Sequence, residues 1–425
     1  MTHMLHRRSF ALAITSLLAA PALARAQATT DITVHYAQPV IFKESYDAIA
    51  AEFAKREPAI RINWVTTPNY EEGMQLILRQ QATNQTVDLS YQGFNRLRLF
   101  ADRQIAQDLT PFLAREGDPA RHGYTPEILA LGRFGGIQAG LAYAASTPVC
   151  FFNADLVRCA GGNPDAMPTS WDGMIELSRR IEALGGGIEG MYYAWPNDDW
   201  MFSALLMGHG GRMLTDDERD VGFAGAEGLA AVRLLDRMVK EGGMPNLTRE
   251  AAQQAFAAGR LGMFFWTTAA VRGTMQQVGR NFELRTTVMP IIDRERGKLP
   301  TGGAAGMLIA RDEAKREAAW KFLRYSTSAE GTTLMVRNTG YVPTNQLAIA
   351  EPRWLAEFYL QNPLFQAATR QANLMAPWYA FPGANSVRVT QTMVDQQARI
   401  AEQRATPDQV LAEMADAVRR LLPRR

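Results

Sequence analysis

TGGAAGMLIARDEAKREAAWKFLRYSTSAEGTTLMVRNTGYVPT, Thr301 to Thr344, is the stretch whose reading decides the fold. Its opening, Thr301-Gly302-Gly303, feeds an apolar run from Ala304 to Ala310. A short apolar run behind a turn signal predicts a buried strand. Asp312 is a good N-cap, so a helix opens there. Ala314, Ala318, Phe322 and Leu323 share one face of it; Lys315, Lys321 and Arg324 lie off that face. A second helix runs from Ser326 to Asn338, capped by Ser328, and Gly340 closes it as a C-terminal glycine. Tyr341-Val342 then runs extended, because the residue before Pro343 avoids the α region. The residues alone leave open an αα-hairpin within some other α/β protein.

Toward the N-terminus, Ile32–Tyr36 alternates as a strand, Phe42–Arg56 is an amphipathic helix, and Ile60–Val65 is a second strand. Strand, helix, strand predicts a parallel sheet. Tyr70–Gln81 is the next helix, and Val87–Tyr91 a third strand. Arg133–Ile137 is a hairpin turn whose glycines do not form G-x-G-x-x-G, which argues against nucleotide binding. Ala142–Phe152 and Trp266–Thr268 read as segments crossing between two bodies. Toward the C-terminus, Thr390–Leu422 is helical and amphipathic, with Thr406 as a cap and Pro407 as first helical residue.

The chain has 425 residues, 47% of them hydrophobic, enough for two cores. Its net charge is +2; residues 1–26 carry three arginines and no acid, so without them it is −1. Near-neutral charge gives no reason to propose nucleic acid as a partner. The two cysteines, Cys150 and Cys159, are expected as buried thiols rather than a disulfide. Few histidines and no C-x-x-C argue against a metal site, and no cofactor is expected.

Residues 1–26 have the form of an export signal: a positive start at His6-Arg7-Arg8, an apolar run from Phe10 to Ala22, and small residues around Ala24-Arg25-Ala26. Arg7-Arg8-x-Phe10 is similar to the twin-arginine signal, and ordinary Sec export fits as well. With no later apolar segment of spanning length, the expected location is the periplasm.

The Thr301–Thr344 stretch resembles the late segment of bacterial extracellular solute-binding proteins, the receptors of carbohydrate-importing ABC transporters. The resemblance rests on Gly302-Gly303, Ala319–Leu323, Thr327-Ser328-Ala329-Glu330 and Thr339–Pro343. Asn153, Pro168–Asp172, the run ending at Phe265 and the Thr406-Pro407 helix match further family motifs, so it spans the mature chain. It implies an α/β, two-lobed periplasmic binding protein fold, maltose-binding-protein-like, with a cleft between the lobes. The implied lobes are 31–143 with 268–322, and 146–265 with 325–425. It also implies a monomer, not an enzyme, that passes a small carbohydrate-class solute to permease subunits in the inner membrane.

The nearest subgroup is the receptors for glycerol-3-phosphate and related glycerophosphodiesters, with a neutral mono-, di- or oligosaccharide as the alternative ligand. By that resemblance the ligand residues are Tyr70, Ser146, Thr268, Gly303, Tyr341 and Arg388. Arg388 suits a phosphate, and Gly303 offers an uncrowded N–H. The subgroup's glutamate after the third strand is missing from Asp88–Phe94; Gln92 or Asn95 stands in its place. Each residue also has a plain structural reading. Tyr341 packs beneath its loop, Arg388 forms a salt bridge, and Ser146, Thr268 and Tyr70 satisfy backbone groups. Of Trp195, Trp200, Trp266 and Trp378, at least two are expected in the core.

Two other functions compete. A secreted hydrolase would need a nucleophile elbow or a His with a convergent acid, or paired carboxylates, for which Asp198-Asp199 is the one cleft-like acidic pair. A ligand-sensing adaptor for a membrane receptor would share the fold.

Overall fold

The computed structural model describes residues 29–423 apart from Asn84, Asn197 and Asp198, so the expected export signal lies outside the described residues. Among the described residues twelve strands form two main sheets and a small hairpin. They are β1 (Thr30–Ala37), β2 (Ile60–Thr67), β3 (Leu89–Gly93), β4 (Arg133–Phe134), β5 (Ile137–Gln138), β6 (Leu141–Ser146), β7 (Pro148–Asn153), β8 (Glu189–Tyr193), β9 (Leu261–Thr267), β10 (Leu284–Thr287), β11 (Leu299–Leu308) and β12 (Met375–Pro377).

The first sheet runs β12-β11-β3-β1-β2, with β6 on β11. β1 pairs in parallel with β2 and with β3, as the strand–helix–strand order predicts. β11 lies antiparallel between β3 and β6. The second sheet runs β10-β7-β9-β8. The chain passes from first sheet to second at Thr147 alone, between Ser146 at the end of β6 and Pro148 at the start of β7. β7 is buried along its whole length and reads as a continuous apolar run because both its faces are covered.

Each sheet has its own core. The first is aromatic: Tyr46 stacks on Tyr143 at 4.8 Å, and Tyr36, Tyr91, Phe42 and Trp64 pack around them. The second is built on Trp171, Tyr193, Phe265 and the helices Trp200–Gly208 and Ala226–Lys240. Among the described residues no helix is long and apolar enough to cross a membrane.

Both expected caps of the Thr301–Thr344 stretch are met, while Ser326 closes the first helix rather than opening the second. The Asp312 side chain accepts from the Lys315 N–H and opens a helix over Glu313–Ser326; Ser328 does the same for Ala329–Asn338 through Gly331. The buried face of the first helix is Ala318, Ala319, Trp320, Phe322 and Leu323, whereas Ala314 is exposed. Gly340 differs from expectation. The second helix ends on Thr339 in extended conformation, and Gly340 is not left-handed. A Cβ at Gly340 would stand 2.2 Å from the Thr268 carbonyl, so the glycine serves a close backbone approach.

Several segments sit elsewhere than the expected lobes placed them, among them β12, which extends the first sheet, and Ala348 and Leu355, which pack in the first core. β10 hydrogen-bonds to β7, so the chain returns to the second sheet after Thr268 and re-enters the first only at β11. The helix Ala329–Asn338 puts Met335 and Val336 into the first core. Cys150 is buried as expected, and burial pushes its thiol well up; Cys159, at a helix end, is exposed, and both are free.

Candidate functional site

A cavity of about 1160 Å³ opens between the two sheets. The first sheet and its helices contribute Tyr70, Glu71, Asn95, Arg96, Ser146, Gly302, Gly303 and Tyr341. Trp200, Arg249, Trp266, Arg272, Trp378 and Thr390 line the remainder. Most sit at strand ends or in the first turn of a helix, where an α/β sheet presents polar groups to a ligand.

Tyr70 is placed by a relay of hydrogen bonds from inside the first sheet. His35 on β1 is fully buried, with Nδ1 2.8 Å from Ser90 Oγ and Nε2 3.0 Å from Thr67 Oγ1. The Thr67 hydroxyl donates to the Asn69 carbonyl at 3.0 Å. The Asn69 side chain accepts from the Glu72 N–H and caps the helix Tyr70–Ala82. Gly73 keeps this helix close, since a Cβ there would meet the imidazole at 2.6 Å. Burial with no charged partner pushes His35 down to about 4.

Gly302 and Gly303 form the floor. A Cβ on Gly302 would come within 2.9 Å of Ser146 Oγ and 3.1 Å of the Trp200 indole. Gly303 has φ +121°, and its Cβ would lie 2.0 Å from the Ala144 carbonyl oxygen. The pairing with β6 shifts by one residue just beyond, between Ala304 and Ala305. Tyr341 stacks on Phe42 at 5.0 Å, with its backbone held by the bond from the Val342 N–H to the Ala145 carbonyl. Its phenol neighbours that of Tyr70, and burial pushes both hydroxyls well above the usual range.

The structure thus brings together Tyr70, Ser146, Gly303 and Tyr341. Thr268 is elsewhere: it is buried, its Oγ1 accepts from the Thr147 N–H at 3.3 Å and its own N–H donates to the Thr147 carbonyl, so it fastens the crossing. Arg388 is exposed and is not part of the wall. Val387, Thr390 and Gln391 of its helix line the cavity; residue 388 falls about 100° round from that i, i+3, i+4 face.

Of the two stand-ins for the missing glutamate, Asn95 lines the cavity, while Gln92 is fully buried beside Ser90. Of the four tryptophans, Trp200, Trp266 and Trp378 reach the wall and Trp195 is buried in the second core. Trp200 and Trp378 lie 6.4 Å apart, and the Arg249 guanidinium stands 4.6 Å over Trp266. Asp198 lies outside the described residues; Asp199 is buried and accepts from Thr390 at 3.4 Å. Sequence reasoning missed Arg96, Arg249 and Arg272. The signal for Arg96 was its place directly after β3, at the end of a parallel strand.

One ion pair ties the two bodies at the cavity's flank. Arg98, beside β3, grips Glu218 of the second body through both guanidinium nitrogens, and Tyr379 donates to the same carboxylate at 2.7 Å. Glu218→Ala leaves the half-buried Arg98 without its fork partner. The expected outcome is a larger radius of gyration by small-angle scattering in the ligand-free protein; an unchanged value would mean that the pair does not hold the bodies together.

Residues 48–366 match the family model "Bacterial extracellular solute-binding protein", and the chain belongs to that family. The sn-glycerol-3-phosphate-binding periplasmic protein UgpB of Escherichia coli (strain K12) is 22% identical over 385 residues, 86% of this chain and 85% of the relative. The protein of the same name from Pectobacterium atrosepticum is 22% identical over 422 residues, 94% and 93% of the two chains. Among solved structures, UgpB from Mycobacterium tuberculosis in complex with glycerophosphocholine superposes with TM-score 0.81 at 18% identity, covering 92% of this chain and 98% of that one. The cyclic alpha-maltosyl-1,6-maltose binding protein from Arthrobacter globiformis gives 0.79 at 20%, covering 92% and 99%. These likenesses establish the two-lobed, maltose-binding-protein-like fold.

Proposed function

We propose that this chain is the substrate-binding component of an ABC importer. It is exported by residues 1–26, works in the periplasm as a monomer, holds a carbohydrate-class solute between its two lobes, and delivers it to the permease without chemistry. The observation that carries this is the 1160 Å³ cavity lined from both bodies by aromatic rings and polar groups. A ligand touching both walls stabilises the closed form, because only there do both sets of contacts exist. The lobes are taken as the expected ranges, with β10 moved to the second and Ala329–Asn338, Ala348, Leu355 and β12 moved to the first.

Within this reading the solute is glycerol-3-phosphate or a related glycerophosphodiester. The names of the curated relatives support it, as does the convergence of Tyr70, Ser146, Gly303 and Tyr341. Arg388 lies outside the wall, so the phosphate is assigned to the lining cations Arg249 and Arg272. The second reading, a neutral saccharide, is favoured by the three indoles, which suit stacking on sugar faces.

Titration calorimetry on refolded, ligand-free protein separates them, with sn-glycerol 3-phosphate, glycerophosphocholine, maltose, trehalose and glucose as ligands. Binding of phosphorylated compounds alone supports the first reading. Binding of neutral sugars alone moves the function to saccharide uptake. Binding of none contradicts both.

A further inference from the structure

The wall formed by the first turn of Tyr70–Ala82 and the start of Phe94–Asp102 holds three polar groups in an unusual state. Glu71 Oε2 is shielded from solvent and has no hydrogen bond among the described residues, while Oε1 accepts from Gln75 at 3.1 Å. The Tyr70 hydroxyl one residue earlier is likewise shielded, with the Tyr341 phenol as its neighbour. The Arg96 guanidinium, its side chain 13% exposed against 36% for Glu71, stands 3.6 Å from Glu71 Oε2. All three line the cavity. Buried polar atoms in native proteins are normally hydrogen-bonded. Here an ion pair stands just beyond hydrogen-bonding distance, facing a space.

We propose that Glu71 and Arg96 form a hydroxyl-recognition subsite that fixes the polyol end of the solute. This rests on the receptor reading above and deepens it. A hydroxyl both donates and accepts. Two adjacent hydroxyls therefore match a carboxylate that only accepts beside a guanidinium that only donates. The pair is close to neutral and offers an acceptor and a donor together, so the phosphate stays assigned to the lining cations Arg249 and Arg272.

The test compares sn-glycerol 3-phosphate with propyl phosphate, which has the same length and charge but neither hydroxyl. Calorimetry is run on wild type, Glu71→Gln and Arg96→Lys. Wild type is expected to prefer the glycerol compound, and each variant to lose about 10- to 100-fold of that preference while its affinity for propyl phosphate stays within about 2-fold. The ratio is the readout, because a variant that merely loosened the helix would lose both ligands together. If one variant fails to fold, the other carries the comparison. An unchanged ratio in a folded variant overturns the subsite and leaves the receptor reading intact. If wild type binds a neutral sugar instead, the same ratio is read between that sugar and its deoxy analogues. If wild type binds nothing, the receptor reading falls and the subsite with it.

Discussion

Gly303→Ala is expected to destabilise the protein by about 3–5 kcal/mol in denaturant unfolding. Two independent penalties meet at this residue. Its φ of +121° lies in a region that side chains rarely adopt. The atom an added Cβ would strike is backbone, the Ala144 carbonyl oxygen at 2.0 Å, and it cannot swing away. Relief would require separating β11 from β6, and those strands carry both the cavity floor and the approach to Thr147. Gly208→Ala serves as a control, since a Cβ in that helix meets only Ile291 Cδ1 at 3.8 Å. It should be neutral or slightly stabilising. A Gly303→Ala protein as stable as wild type would mean that β6 and β11 are not paired in this register.

The second large effect is on acid stability. His35 is fully buried, held between Ser90 and Thr67, and its folded-state pKa is depressed from 6.5 to about 4 by desolvation. The unfolded chain therefore takes up the proton first as pH falls. The stabilising difference is fully present above pH 6.5 and is lost progressively between 6.5 and about 4, below which both states are protonated. The loss amounts to about 3 kcal/mol. Carboxylate pairs contribute their own acid sensitivity, so the measurement is a difference. Urea unfolding at pH 7 and at pH 4 should show a drop in wild type that is smaller by about that amount in His35→Gln. Equal drops in the two proteins would show that the imidazole is not the acid-sensitive group. Because the His35–Thr67–Asn69 relay sets the start of Tyr70–Ala82, the same protonation is expected to disorder the Tyr70 side of the cavity.

What the sequence made legible follows from how local each signal is. Asp312, Ser328 and Thr406 are caps because a short side chain can reach an N–H three residues on, and all three do so. The β1–β2 pairing was legible because strand, helix and strand follow one another within one unit. Three features depend on partners far along the chain and were not. β10 is four half-buried residues, Leu-Arg-Thr-Thr, with no apolar alternation to mark it as a strand. Gly340 looked like a helix stop and is instead a spacer against the Thr268 carbonyl. Arg388 matched a motif position, but which side of a helix faces a cavity is set by what the helix packs on. Val387 packs against the core of the first body, and this turns residues 387, 390 and 391 inward and Arg388 out. The same logic hid Arg96, which acquires its place only when Phe94 and Leu97 bury beside β11.

The proposed reading puts the solute in the cavity between the two sheets. Its most direct test is thermal unfolding of wild type and Tyr341→Ala, each ligand-free and each with the ligand that calorimetry identifies, at a hundred times the wild-type Kd. Wild type should gain about 2.7 kcal/mol. Tyr341 is stacked on Phe42 at the wall, and its removal is expected to weaken binding about 100-fold, so the variant should gain less than about 0.5 kcal/mol at the same concentration. Equal stabilisation of the two proteins would place the solute outside this cavity and contradict the account.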